Sequence, residues 1–302
     1  IVLLSLLLAL VAVPLAAQEK RSLEHTDYDR WNRIQNDIVS KDGAWLAYRL
    51  VPGDGDATMI LQGLADDRSL TIERGTNPAF SADSRYLVAH VEPTQEAVDA
   101  AREEGGADRN GEGDQPHDSL VIVQLSTLSV TRVANVSSFR LPEDEGGWIA
   151  YLLEADEQDQ ASEESEEEEA GEDGEEAPRL DDGTSLVVRA LNSEREWRFE
   201  AVVEYAFAAD GSALFYAASG ADGEADGVFR VDESGASEVV STGAGRYVGL
   251  VVSDAGASAF LTDRDDRDDE APDFALYVAA AGMATSRAGT GTSGLPAGWA
   301  PS

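Results

Sequence analysis

Beyond its first twenty residues the chain carries its hydrophobic positions in short runs of Val, Leu, Tyr and Phe that alternate with polar residues and are cut by Gly and Asp. Alternation with period two, bounded by turn formers, predicts β-strands, and no apolar stripe recurs at helical spacing over a long stretch. One phrase returns along the chain. Ser40-Lys-Asp42-Gly43-Ala-Trp45-Leu-Ala-Tyr48 is followed by Ser81-Ala-Asp83-Ser84-Arg-Tyr86-Leu-Val-Ala89, by Glu145-Gly146-Gly147-Trp148-Ile149-Ala150-Tyr151, by Ala209-Asp210-Gly211-Ser-Ala213-Leu214-Phe215-Tyr216, and by Ser253-Asp254-Ala-Gly256-Ala-Ser258-Ala-Phe260-Leu261. Each pairs a turn with an alternating strand. The turn chemistry is physical: Asp accepts a hydrogen bond from the backbone two residues on, and Gly takes positive φ without steric cost.

With Trp45, Tyr86, Trp148, Ala213 and Ser258 taken as equivalent, the spacings are 41, 62, 65 and 45. Removing roughly twenty inserted residues from each long interval restores a period near 41, the size of a four-stranded propeller blade. Within a unit the order reads strand, Asp-Gly turn, strand, loop, strand, short turn, strand. The first unit gives strands at 46–51, 59–64 and 70–74, and the second gives strands at 120–125 and 130–136. The predicted fold is all-β, a β-propeller of about five four-stranded blades over residues 25–302. A sandwich of irregular hairpins is the competing architecture, but sandwiches do not ordinarily repeat one turn phrase five times. Trp45, Leu46, Tyr86, Trp148, Ile149, Phe207 and Phe215 are expected in the core. A short helix is expected at Tyr28–Ile34, with Thr26 as N-cap and Asp27 and Asp29 in its first turn. Gln95–Glu104 is also rich in helix formers.

Charge changes the picture. Against 22 Lys and Arg stand 59 Asp and Glu, a formal net charge of −37. Such a surface repels phosphate backbones and anionic lipid, so nucleic acid and membrane surfaces are excluded as partners. The charge is concentrated: residues 154–176 carry fourteen acids and no base, 92–118 nine acids and two bases, and 263–273 seven acids and two bases. Two acidic inserts are therefore expected, at 93–117 and 154–179, the second too poor in apolar residues to bury a face and expected to stay disordered. Only Lys20 and Lys41 are lysines, a bias that fits either a GC-rich genome or salt adaptation. The absence of cysteine excludes disulfides, zinc–thiolate clusters, thiol nucleophiles and a lipidated N-terminal cysteine.

Residues 1–17 form an apolar run ending in Leu15-Ala16-Ala17 before polar residues. They read as a signal peptide that lacks its own start, with an uncleaved anchor as the competing reading. Secretion or a periplasmic location, with no membrane contact after cleavage, is the expectation.

Tyr28-Asp-Arg-Trp-Asn-Arg-Ile34, Ser40-Lys-Asp-Gly, Arg74-Gly-Thr-Asn-Pro-Ala-Phe-Ser-Ala-Asp83, Glu204-Tyr-Ala-Phe-Ala-Ala-Asp-Gly211, Ala225-Asp-Gly-Val-Phe-Arg-Val-Asp232 and Leu261-Thr-Asp-Arg-Asp265, in that order, resemble the N-terminal propeller of bacterial exported serine peptidases of the prolyl oligopeptidase family. The resemblance covers most of 25–302. It implies a propeller of seven or eight blades that caps a C-terminal α/β-hydrolase domain and filters peptide substrates by size, with that domain absent from this chain and acting as its partner. TolB-like periplasmic propellers, which bind peptides or envelope proteins without catalysis, share the Asp-Gly repeats and form the alternative.

An α/β-hydrolase nucleophile sits in Gly-x-Ser-x-Gly, with Asp and His following. No such pentapeptide occurs; Gly291-Thr-Ser293-Gly294 ends in Leu295. No catalytic, cofactor-binding or metal-ligating residues are therefore expected. Of the three histidines, His25 and His117 are expected in solvent and His90 half-buried after a strand. The run Asp263–Glu270 and the Asp54-Gly-Asp56 loop could attract Ca²⁺, but neither has the spacing of an EF-hand.

Overall fold

The computed structural model describes residues 31–104, 116–154, 183–193, 195–220, 223–254, 256–263, 273–280, 282–289 and 292. The expected signal peptide at 1–17, His25, most of the acidic 154–179 tract, the 105–115 part of the 93–117 tract and residues 264–270 of the Asp-rich run lie outside these.

Nineteen strands and one helix occur among the described residues. The first sheet contains β1 (Arg33–Val39), β2 (Trp45–Val51), β3 (Thr58–Gly63) and β4 (Ser69–Glu73), paired antiparallel in sequence order. The second contains β5 (Gly75–Phe80), β6 (Tyr86–Val91), β7 (Ser119–Gln124) and β8 (Ser129–Val133), with α1 (Gln95–Glu104) between β6 and β7. Next come β9 (Val136–Arg140), β10 (Trp148–Leu153), β11 (Thr184–Ala190), β12 (Glu196–Phe207), β13 (Leu214–Ala218), β14 (Gly227–Val231) and β15 (Ser237–Thr242) in one seven-stranded sheet. The last sheet is β16 (Arg246–Val252), β17 (Ser258–Asp263), β18 (Ala275–Ala279) and β19 (Thr285–Ala288).

The seven-stranded sheet is two blades joined through β12. Residues 196–199 of β12 pair with β11, and 204–207 pair with β13. Between them the chain bends at Ala201, whose φ is +57°. Arg74 (φ +58°) and Asn135 (φ +56°) occupy the same corner between β4 and β5 and between β8 and β9. With β12 divided there, the chain makes five successive four-stranded antiparallel blades, as the repeat predicts.

The apolar clusters explain the strand composition. Trp45, Ala47, Met59 and Leu61 of the first blade pack with Leu87, Ala89, Val121 and Val123 of the second. Val88, Leu120 and Ile122 on the opposite face of the second blade pack with Ile149, Tyr151 and Val187 of the third. Trp148, Ala150 and Leu186 meet Leu214, Tyr216 and Val231, and Phe215, Val228 and Val240 meet Tyr247 and Phe260. Interior blades thus bury both faces, so β6, β7 and β13 read as nearly continuous apolar runs. The outer faces of the two end blades are less covered: Leu46, Tyr48, Ala259 and Leu261 are only half-buried.

The predicted corners are equivalent. Ser40 and Gly43, Ser81 and Ser84, and Ala208 and Gly211 close the same turn, with each second N–H donating to the first carbonyl at 2.8–2.9 Å. Asp42 Oδ1 accepts from Ala44 N (3.0 Å), Asp83 Oδ1 from Arg85 N (3.1 Å) and Asp210 Oδ1 from Ser212 N (2.9 Å). The third blade departs from the pattern, turning through Pro142–Gly147. Among the expected core positions Trp45, Trp148, Ile149 and Phe215 are buried. Leu46, Tyr86 and Phe207 are half-buried: Leu46 faces away from the second blade, and the Tyr86 hydroxyl reaches out to donate to the Leu191 carbonyl at 2.6 Å.

The expected helix at Tyr28–Ile34 is corrected over its described part. Arg33 and Ile34 pair with Val51 and Leu50 as the start of β1. Ladder hydrogen bonds to β2, and the β-branched Ile34, Ile38 and Val39, outweigh the local capping signal. Residues 28–30 lie outside the described part.

Candidate functional site

First strands of neighbouring blades approach one another, β1 with β5 and β12 with β16. Between β5 and β9 a cavity of about 600 Å³ separates them. Asn77, Ala79 and Phe80 of β5, His90 of β6 and Ser137–Arg140 of β9 line it, and Leu141, Pro142 and Glu143 close one end. A smaller space of about 210 Å³ continues past Arg140, Leu141 and Glu143 to Phe207 and Ala208 and on to Val252 and Asp254. Together they form a concave surface along the first strands of the second to fifth blades.

Alternation along β9 sets this surface. Ser138 Oγ lies 2.9 Å from the Tyr205 hydroxyl of β12, and the Arg140 guanidinium lies 5.6 Å from the centre of the Tyr205 ring. Burial pushes the Tyr205 hydroxyl up to about 12, so it stays a neutral donor at physiological pH. Ser137 Oγ donates to the Leu152 carbonyl (3.3 Å). Both cavity serines are thus engaged with structural partners, and neither hydrogen-bonds to His90, which lines the same cavity, so the Ser–His pairing of an activated serine is not formed there. The surface offers a cation, a carboxylate, amide and hydroxyl groups and the faces of Phe80 and Phe139, which suits binding of an extended polar chain.

His90 is more deeply buried than its sequence context suggests, at 7% exposure. Its ring packs on Phe139 with centroids 5.1 Å apart, and its Nδ1 lies 3.6 Å from Asp118 Oδ2. Burial pushes the imidazole below its ordinary value, against the attraction of Asp118 and Glu154. Burial likewise raises Asp118, against His90 and His117. The sequence signal for this cluster was His90 at an inward strand position next to an insert. His117, expected in solvent, is half-buried.

Two carboxylates of the Ca²⁺-like segments, Asp56 and Asp263, accept backbone hydrogen bonds. Asp56 Oδ1 accepts the Gln95 N–H (3.0 Å) at the start of α1, and buried Asp263 accepts the Asp273 N–H (2.6 Å) through Oδ2. Among the described residues no cluster of three or more acids and histidines could hold a metal ion, and no helix is long and apolar enough to cross a membrane.

No family model matches the chain, and no curated protein matches it. Among solved structures it is similar to the β-propeller domain of the Trilobed protease from Pyrococcus furiosus, at 12% identity over 85% of this chain and 72% of that one, with a TM-score of 0.43. It is similar to the acylaminoacyl peptidase of Pyrococcus horikoshii at 12% identity over 84% of this chain, TM-score 0.42. A third is dipeptidyl peptidase 4 of Porphyromonas gingivalis, 13% identical over 85% of this chain, TM-score 0.47. The chain spans 39% of the length of each of these last two. The blade assignment rests on the chain's own strand order, and no activity or residue role follows from these likenesses.

Proposed function

We propose that the chain is the propeller portion of a secreted or periplasmic serine peptidase of the prolyl oligopeptidase family, in which it admits peptides to a separate α/β-hydrolase domain. The observation that carries this reading is the run of five blades, three of them with Asp turns at Asp42, Asp83 and Asp210 on equivalent corners, in the order of phrases that resembles that family. The concave surface around Arg140, Glu143, Phe80 and Phe139 supports it, because it offers charged, polar and aromatic groups but no activated nucleophile. The role of this portion is to bind and select, while acyl transfer belongs to a Ser-His-Asp set elsewhere in the protein.

The test uses a fluorophosphonate probe on two samples. The 302-residue chain expressed alone should not label. The protein isolated from its source and identified by peptides of this chain should label on a serine outside these residues and cleave peptides. An unlabelled native protein that retains peptides on immobilisation would transfer the case to a non-catalytic binding propeller.

A further inference from the structure

The seams between the first and second blades and between the second and third are built on one plan with one changed residue. On β2 the face toward the second blade presents Trp45, Ala47 and Arg49; on β6 the face toward the third presents Tyr86, Val88 and His90. The 41-residue spacing that equates Trp45 with Tyr86 equates Arg49 with His90, and the 62-residue spacing equates Glu92 with Glu154. The surroundings agree. Glu92 N donates to the carbonyl of the left-handed corner residue Arg74 (3.1 Å), and Glu154 N to that of Asn135 (3.0 Å). In the first seam the Arg49 guanidinium pairs with the Glu92 carboxylate. In the second, His90 stands in the place of that guanidinium, its buried Nδ1 without a hydrogen bond. At the next two seams the same position holds Leu152 and Ala217.

We propose that the seam between the second and third blades is a pH-sensitive joint, in which protonation of His90 loosens the packing of β6 on β9 and β10 beside the cavity, while the neighbouring seam stays closed on its permanent cation. The groups that face His90 are Asp118 from the connection into β7, Glu154 from the end of β10 and the Phe139 ring from β9; Arg140 and Glu143 lie along the same cavity. A histidine held below its ordinary value binds fewer protons folded than unfolded. Its contribution is therefore complete above the unfolded value near 6.5 and is lost as pH falls below it. Asp118, held high, acts with the opposite sign at lower pH, where its protonation relieves the cost of burying a carboxylate. Geometry limits rescue by Asp118, since at 3.6 Å its oxygen stands beyond a good hydrogen bond from Nδ1.

The test is thermal unfolding of the full chain from pH 7.5 to 5.5, with hydrogen exchange read peptide by peptide. Wild type should lose more Tm over this range than His90→Gln, by about 2–4 °C, and exchange should rise at 86–91, 136–140 and 148–153 but not at 45–51. Glu154→Gln, which removes an attracting carboxylate and leaves the buried ring, should enlarge the loss. Equal pH profiles for wild type and His90→Gln would overturn the proposal, as would a His90-dependent gain of Tm in acid or exchange rising equally at both seams. If His90→Gln is too unstable to measure, His90→Asn provides the same comparison. None of these readouts depends on peptidase activity, so the joint and the proposed function stand or fall separately.

Discussion

The two ends of the blades follow different rules. At one end, first strands turn into second strands through short corners of nearly constant length. These corners touch in succession: Asp42 N donates to Ser84 Oγ (3.1 Å), a Cβ added at Gly146 would fall 2.3 Å from Asp83 Cγ, and Asp144 N donates to the Ala209 carbonyl (2.9 Å). At the opposite end, second strands connect to third strands across gaps that run from Pro52–Ala57 in the first blade to residues 154–183 in the third. The acid-rich stretches 92–118, 154–176 and, after Asp263 at the end of β17, 264–273 fall in these connections. Where corners pack on corners, length and residue type are fixed by neighbours. Where the chain only has to return to its own sheet, closing a longer loop costs little, about 0.6 kcal/mol per doubling.

The comparison can be broken first at Gly183, which lies at the permissive end but where a Cβ would meet the Ala201 backbone at 2.1 Å. Gly183→Ala should cost about 3 kcal/mol in urea unfolding, showing that the necks of long connections are as constrained as the corners. At the other end, Gly211 has φ +69° and a Cβ there would lie 2.8 Å from Glu145 Cβ. Gly211→Val should cost about 2–3 kcal/mol, while Gly55→Ala, at φ +90° with nothing within 4 Å, should cost about 1 kcal/mol. Asp83→Ala removes the acceptor for Ser81 Oγ (2.6 Å) and Arg85 N (3.1 Å) and should cost about 1–2 kcal/mol, measured by the same method. Asp42 is held below the usual carboxylate range by the Ser40 hydroxyl first and the Ala44 N–H next. Its contribution is present above its unfolded value of 3.8 and lost as pH falls through the lower folded value, so wild type and Asp42→Asn should converge in Tm only in strong acid. Replacing 157–180 by a short Gly-Ser link should change stability by less than about 0.5 kcal/mol; a larger loss would mean that the permissive end also carries packing.

What was legible in the sequence was what the chain repeats. Asp42, Asp83 and Asp210 announce their corners because an Asp turn is a local device that needs no neighbour. Strand runs such as Leu120–Leu125 can be read to within a residue or two for the same reason. The failures were non-local. Thr26, Asp27 and Asp29 give Tyr28–Ile34 a helix-start signal, and only the partner strand β2 reveals that Arg33 and Ile34 belong to a ladder. Leu46 and Tyr86 are apolar or aromatic at repeat positions, but the burial of Leu46 depends on which side of the sheet meets another blade, and that of Tyr86 on the Leu191 carbonyl that its hydroxyl reaches. The candidate surface was less legible still. Ser138, Tyr205 and Arg140 come from two blades, and no spacing links them. His90 reads as following a strand but lies within β6, and its correspondence to Arg49 becomes meaningful only once the register shows both residues pointing across a seam.

The placement of the apolar clusters carries a mechanical consequence. Each of the four belongs to two consecutive blades and none to a single blade. Releasing an interior blade strips one wall from the cluster on either side, releasing an end blade strips one wall from its single cluster, and a cluster that stays intact holds two blades at once. Cooperativity in such an array passes only between nearest neighbours. A void cut at Ile149, between the second and third blades, should therefore be felt in those two sheets before the first or the fifth, and the unit of unfolding is the pair of blades rather than the sheet.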